Sequence, residues 1–294
     1  MRRDKRQEAR GKRGAGLSFA LPNSPFPLQR GFTLIEMIMV IVLLGALVAV
    51  SSVFIVQPFR AFDDMKRRAE LVEAADSALM LMTRELRAAL PNSVRVQSAG
   101  GRTVLEFIPT LSGGRYRATL AGDGSGDILD FGTTDTGFDV MGPLPSAPVP
   151  GSAVVVYNLT AVGGQGNAYA SDNRAPVDAA GSSSTYIALA AAHRFPFASP
   201  AQRFQLVSSP VSYVCDPVAG VLTRHQGYGF QGSQPVSSAE LGVGETAARF
   251  VTGCDIRFDP GAGTRNGLVS IRLSLSDAGE TVSLLQQVHV LNTP

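Results

Sequence analysis

The strongest pattern in the chain is a run of apolar residues from Phe32 to Val56, broken by a single charge at Glu36. As a helix, 25 residues would span about 37 Å, enough to cross a hydrocarbon layer of about 30 Å once, with tilt. The run passes through Gly45 and ends at Gln57-Pro58, and Pro58 removes one backbone donor where the segment closes. No small-residue cleavage site follows, so the segment reads as a retained anchor rather than a secretory signal.

Beyond it the period changes. Leu71, Ala75, Ala78, Leu79, Met82, Leu86, Ala89 and Leu90 recur at three- and four-residue steps. Lys66, Arg68, Glu73, Asp76, Arg84 and Arg87 fall on the other face. That spacing predicts an amphipathic helix over 59–91, closed by Pro91-Asn92, packed on its own domain.

From residue 92 the pattern is short and alternating. Strands are expected at 103–108, 127–131, 153–157, 186–189, 204–207, 211–215 and 220–224. The clearest alternation is Val269, Ile271, Leu273, Leu275 and then Val282, Leu284, Val288, Val290, on either side of Asp277-Ala278-Gly279. This predicts an antiparallel hairpin with one face on the helix. Long loops are expected at 142–152, 161–184 and 258–267. The fold class is α+β: a long N-terminal helix packed on an antiparallel β-rich domain spanning 92–294.

Charge divides the chain in the same places. Residues 1–31 hold eight basic and two acidic residues, whereas the remainder carries 18 basic and 22 acidic groups. A basic head before an apolar run keeps the head cytoplasmic and sends the body across the membrane. Pro22, Pro25 and Pro27 exclude a continuous helix in that head. A mildly acidic body without a basic patch gives no reason to expect nucleic acid as a partner. With 45% hydrophobic and 17% charged residues, the chain is neither disordered nor a coiled coil, and its single apolar run excludes a polytopic membrane protein. Cys215 and Cys254 are the only cysteines. In an extracytoplasmic body they are expected to form one disulfide.

A carboxylate inside an apolar run costs roughly 2.5 kcal/mol or more, so Glu36 either has a partner or, five positions into the run, sits near the membrane edge and reaches water. The string around it is Gln29-Arg30-Gly31-Phe32-Thr33-Leu34-Ile35-Glu36. It resembles the type III signal of type IV prepilins. The resemblance implies cleavage between Gly31 and Phe32 by a prepilin peptidase and N-methylation of Phe32. It also implies that Glu36 meets the new amino terminus of a neighbouring subunit. The stretch ADSALMLMTRELRAALPNSVRV, residues 75–96, is similar to the O-type minor pilins of the mannose-sensitive haemagglutinin (MSHA) pilus group. J-type pseudopilins of type II secretion share related helix patterns. These resemblances imply a cleavable leader over 1–31, an anchor helix over 32–58, and a single-pass inner-membrane protein with a periplasmic domain. The subunit would later join a pilus with other minor and major pilins.

Candidate chemistry elsewhere is sparse. There is no phosphate-binding glycine loop and no nucleophile motif, and His193, His225 and His289 lack metal-ligand spacing. No enzyme activity and no cofactor is expected. Asp123, Asp127 and Asp130 form the core of an acidic, glycine-rich stretch that offers oxygen ligands for calcium, although Asp beside Gly is also ordinary turn chemistry. Asn158-Leu159-Thr160 is formally a glycosylation sequon and reads as chance. A pilus-tip adhesin using loops 161–184 and 198–210, and a membrane-anchored hydrolase, are the other functional classes to weigh.

Overall fold

The computed structural model describes residues 31–261 and 266–294. The leader, apart from Gly31, and the centre of the expected 258–267 loop lie outside the described residues. The chain divides into two compact units, 1–58 and 59–294.

One helix, α1 (Leu34–Arg87), runs through Pro58 as a continuous element. The strands that follow are β1 (Arg95–Ala99), β2 (Arg102–Phe107), β3 (Thr110–Arg115), β4 (Asp135–Asp139), β5 (Ala153–Val156), β6 (Arg174–Pro176) and β7 (Tyr186–His193). Then come β8 (Arg203–Val207), β9 (Val211–Asp216), β10 (Val221–Gln226), the short α2 (Ser238–Leu241), β11 (Glu245–Arg249), β12 (Val251–Asp259), β13 (Gly267–Asp277) and β14 (Glu280–Val290).

In the unit 59–294, the stripe read from the sequence is the core-facing side of α1. Leu71, Ala75, Ala78, Leu79, Met82 and Leu86 are all buried, in one cluster with Leu105, Phe107, Tyr213, Val269, Ile271 and Leu273. Each fully buried large aliphatic side chain contributes about 1.5–3 kcal/mol, so this stripe holds the helix to the sheets. Two antiparallel sheets supply the other walls, one ordered β1-β2-β9-β10-β11 and the other β12-β13-β14. Cys215 on β9 is bonded to Cys254 on β12, so the disulfide ties one sheet to the other. The β13–β14 hairpin closes with Ala278 at φ 46° and Gly279 at φ 94°, the left-handed pair that a two-residue turn requires.

The order of the five-stranded sheet hides a long excursion. β2 and β9 are neighbours, yet roughly a hundred residues separate them. That segment folds into its own layer, with a β3-β8-β5-β6 sheet and a β4-β7 ribbon around Phe138, Phe195, Phe204, Ile187 and Tyr116. Its two connections run side by side: Ser208 N–H donates to the Pro109 carbonyl, and Thr110 N–H to Ala88 at the end of α1.

Four expectations are corrected. The amphipathic helix stops at Arg87, because Ala88 and Ala89 turn back onto Glu85 and Leu86 and Ala89 bridges to Pro109. Residues 127–131 form no strand. Asp127 N–H donates to the Asp139 carboxylate, and the Asp130 carboxylate accepts from Gly132 N–H and the Thr133 hydroxyl. These local carboxylate bonds outcompete a ladder. Loop 161–184 contains β6, and the 198–210 segment is not all loop, since the strand expected at 204–207 stands there as β8.

A buried ion pair lies beneath the five-stranded sheet. Arg95 Nε is 2.5 Å from Glu106 Oε2. Tyr228 donates to the other Glu106 oxygen, and Arg95 also donates to the carbonyls of Gln231 and Gly232. The guanidinium stacks 3.6 Å from the Tyr169 ring centre. Burial pushes the Glu106 carboxyl up, against the pull of Arg95 and Tyr228.

Three outcomes are expected from this architecture. Replacing both cysteines by serine lowers unfolding stability by about 2–4 kcal/mol, measured by denaturant titration of oxidised and variant chains. Glu106→Ala strands Arg95 and destabilises by about 3–5 kcal/mol, while Glu106→Gln, which still accepts from Tyr228, loses less. The third concerns His225, whose Nδ1 bonds the Gly242 carbonyl at 3.1 Å and whose Nε2 meets the Thr223 hydroxyl at 2.9 Å. Burial pulls this imidazole down, so the fold holds it neutral and the unfolded chain protonates first. Its contribution is present above the ordinary histidine pKa of about 6.5 and is lost as pH falls through the folded value. Melting temperature should therefore drop on acidification from about pH 7.5 to pH 5.5. In His225→Gln that part of the drop should vanish.

Candidate functional site

The residues that carry the expected chemistry sit where α1 begins. Gly31, Phe32 and Thr33 precede the helix, and Thr33 caps it. Its hydroxyl accepts the Glu36 N–H at 3.3 Å, and its carbonyl accepts from Glu36 and Met37 at 3.1 and 3.2 Å. Thr33-Leu34-Ile35-Glu36 is thus the T-x-x-E spacing of a capping box, with its forward half formed. Sequence reasoning singled out Glu36 and missed Thr33, although this spacing was there to be read. Glu36 stands in the first turn of α1, at the positive end of the helix dipole.

Beyond the cap, Leu34–Ser52 has a mean hydropathy of 2.7, and none of it is buried within the chain. Phe32 is 75% exposed. A protein in water does not leave such a surface uncovered, so these side chains need lipid or other apolar helices.

Gly31 adds a second clue. A Cβ built on it would meet no atom of the described residues within 4 Å, and its backbone is not in the left-handed region. Nothing among the described residues demands glycine there. A requirement for glycine at 31 would have to come from outside the chain, as a peptidase that grips bare backbone would impose.

The other candidates are used up locally. Asp123 accepts from Ser125 N–H and its hydroxyl at 2.9 and 2.6 Å, and these bonds hold its carboxyl below the usual range. The turn around Asp130 does the same to that carboxyl. Asp127 accepts from the Tyr186 hydroxyl. Among the described residues no group of three or more His, Cys, Asp or Glu side chains is placed to hold a metal ion. The amide of Asn158 is buried, donating to the Pro91 carbonyl and accepting from Ala168 N–H, which leaves the sequon nothing to present. His193 Nε2 lies 3.0 Å from the Asp172 carbonyl, His225 is held as above, and His289 is exposed on β14. The three histidines thus sit in separate settings.

Comparison with known proteins bears on the same segment. The prokaryotic N-terminal methylation motif matches residues 27–52. No curated protein and no solved structure matches the chain. The motif, followed by an apolar helix long enough to cross a membrane and by an antiparallel β-rich body, supports a type IV pilin-like protein carrying a single membrane anchor.

Proposed function

We propose that this chain is a minor pilin of an MSHA-type type IV pilus, made as a prepilin and acting in filament initiation or at the tip. The observation that carries the reading is the methylation motif over 27–52, set directly on a capped helix whose only charge before Pro58 is Glu36.

The proposed sequence of events follows from the residues. A prepilin peptidase hydrolyses the Gly31–Phe32 peptide bond on the cytoplasmic face. The leader departs with a carboxylate on Gly31, and Phe32 is left with an α-ammonium, whose ordinary pKa is near 8. Methylation of that nitrogen keeps its positive charge. The apolar helix holds the processed subunit in the inner membrane, with the unit 59–294 on the periplasmic side. On entry into a filament, the Glu36 carboxylate pairs with the ammonium of a neighbouring subunit. In an apolar sheath that pair is far stronger than in water, and an unpaired Glu36 is penalised. The role is structural rather than catalytic.

The large layer between β2 and β9 bears on position in the filament. Bulk of this kind favours the tip or the initiating complex over a closely packed shaft. It also keeps a tip adhesin as the second reading, with loop 161–184 in that layer. A J-type pseudopilin of type II secretion would use the same helix and the same pair.

Two substitutions separate the steps. Gly31→Val should leave the fold intact, since the site is open, and should abolish cleavage. Glu36→Leu should be cleaved normally but fall at least about tenfold in the sheared pilus fraction relative to the membrane fraction, about 1.4 kcal/mol of lost assembly energy. Normal incorporation of Glu36→Leu would refute the pairing role. A requirement for type II secretion genes instead of pilus genes would move the chain to the pseudopilins.

A further inference from the structure

We infer that Arg115 and Arg203, opposite each other on the layer between β2 and β9, form a binding site for a doubly charged oxyanion: the phosphate dianion, free or carried as a monoester. This rests on that layer alone, and its failure would leave the pilin reading untouched.

β3 and β8 pair antiparallel, with Arg115 directly across from Arg203. One step further, Tyr116 N–H donates to the Gln202 carbonyl at 2.9 Å. Hydrogen-bonded and non-hydrogen-bonded pairs alternate along such a ladder. Arg115 and Arg203 are therefore a non-hydrogen-bonded pair, with Cα atoms about 4.5 Å apart and side chains on one face. Both residues are exposed. Like charges placed directly opposite each other are destabilising. A pair that breaks this rule without a compensating contact is the kind of local conflict that proteins keep at functional sites.

The surroundings do not compensate it. The layer contains Arg115, Arg117, Arg174, Arg194 and Arg203. Arg117 is bound to Asp139, Arg174 donates to the Ala168 carbonyl and stacks on the Phe230 ring, and Arg194 donates to the Phe131 carbonyl. Arg115 donates once, to the Gln202 side chain at 3.2 Å, and Arg203 has no partner among the described residues. Asp139, which shares this side of the layer with Arg117, is already held by the Arg117 Nε and the Asp127 N–H, each at 3.0 Å.

The ligand follows from that geometry. Two guanidinium groups on one face are two planar forks of N–H donors with no acceptor of their own. They match a group that only accepts, carries two negative charges and has oxygens enough for both forks. A single carboxylate would serve one fork and leave the other cation uncompensated. On the other side of Arg115, Met141 N–H donates to the Arg115 carbonyl and Val140 bridges to Tyr116, so Met141 stands across from Arg115 on the same face. Met141 is 49% exposed, an apolar shelf for the organic part of a monoester.

The test uses the full chain in neutral maltoside micelles, titrated calorimetrically with inorganic phosphate, with glucose 1-phosphate and with the methyl diester of the latter, which carries one charge. Saturable binding of the first two is expected. Arg115→Gln and Arg203→Gln should each weaken it at least about tenfold, and the diester should bind at least about tenfold more weakly than the monoester. Without ligand, Arg203→Gln should melt no lower than the native chain, because it relieves a like-charge contact. Tighter binding of glucose 1-phosphate than of inorganic phosphate, lost in Met141→Ser, supports the site with the group carried as an ester, whereas equal binding supports it with the free ion. No saturable binding, unchanged binding in both arginine variants, a diester bound as tightly as the monoester, or a lower melting temperature of ligand-free Arg203→Gln would overturn the proposal.

Discussion

The structure depends on one helix that must satisfy two solvents in succession. Up to Ser52 the surface of α1 is apolar but for Glu36, and the described residues do not bury it, as lipid or neighbouring apolar helices require. From Leu71 to Leu86 only one stripe is apolar, and that stripe closes the core between two β-sheets. Remove the stripe and the sheets lose their shared wall. The disulfide between β9 and β12 and the Glu85 carboxylate, bound by Tyr213 and Arg224, then reinforce a packing the stripe has already set.

Around this frame, the buried acidic and basic side chains are paired, Arg95 with Glu106 and Asp216 with Arg102. The Arg95–Glu106 pair would be costly alone, but every side of it is engaged: Tyr228 on the carboxylate, two carbonyls on the guanidinium, and Tyr169 against its face. It fixes the 227–232 segment against the sheet, and a hydrophobic pair of similar volume could not bond those two carbonyls. The contrast lies at the start of α1, where Glu36 is exposed at the head of an apolar helix, its N–H held by Thr33 and its carboxylate without a cation among the described residues. Interior charges are completed within the chain, whereas in the proposed filament this one would be completed by a second molecule.

Much of this was legible in the sequence because it is periodic. The 3.6-residue stripe of α1 and the alternation of β13 and β14 are repeated many times over, so no single neighbour could overrule them. The cysteine pair and the Gly31–Glu36 string were readable as chemistry. What escaped was set by distant contacts or by single side chains. Residues 127–131 alternate like a strand, yet the Asp130 and Asp135 carboxylates bond into turns, Asp139 holds Arg117 and the Asp127 N–H, and Asp127 accepts from Tyr186. β6 and β11 are too short or too polar to announce themselves. That β2 pairs with β9 across a hundred residues is a matter of topology, which local pattern does not encode. Arg95 and Glu106 read as ordinary strand residues until their pairing across β1 and β2 places them opposite each other. Thr33 is marked only by its three-residue spacing to Glu36, which lies inside the cleavage signal.

The most direct test of the central claim is the intact mass and N-terminal sequence of the chain co-expressed with a prepilin peptidase. The account predicts a mature chain that begins at Phe32 and is heavier than the unmodified sequence by one methyl group. A chain that remains uncut, or is cut beyond Val56, would contradict it. The apolar helix would then be an ordinary anchor or signal, and Glu36 would be no more than an acidic residue in its first turn.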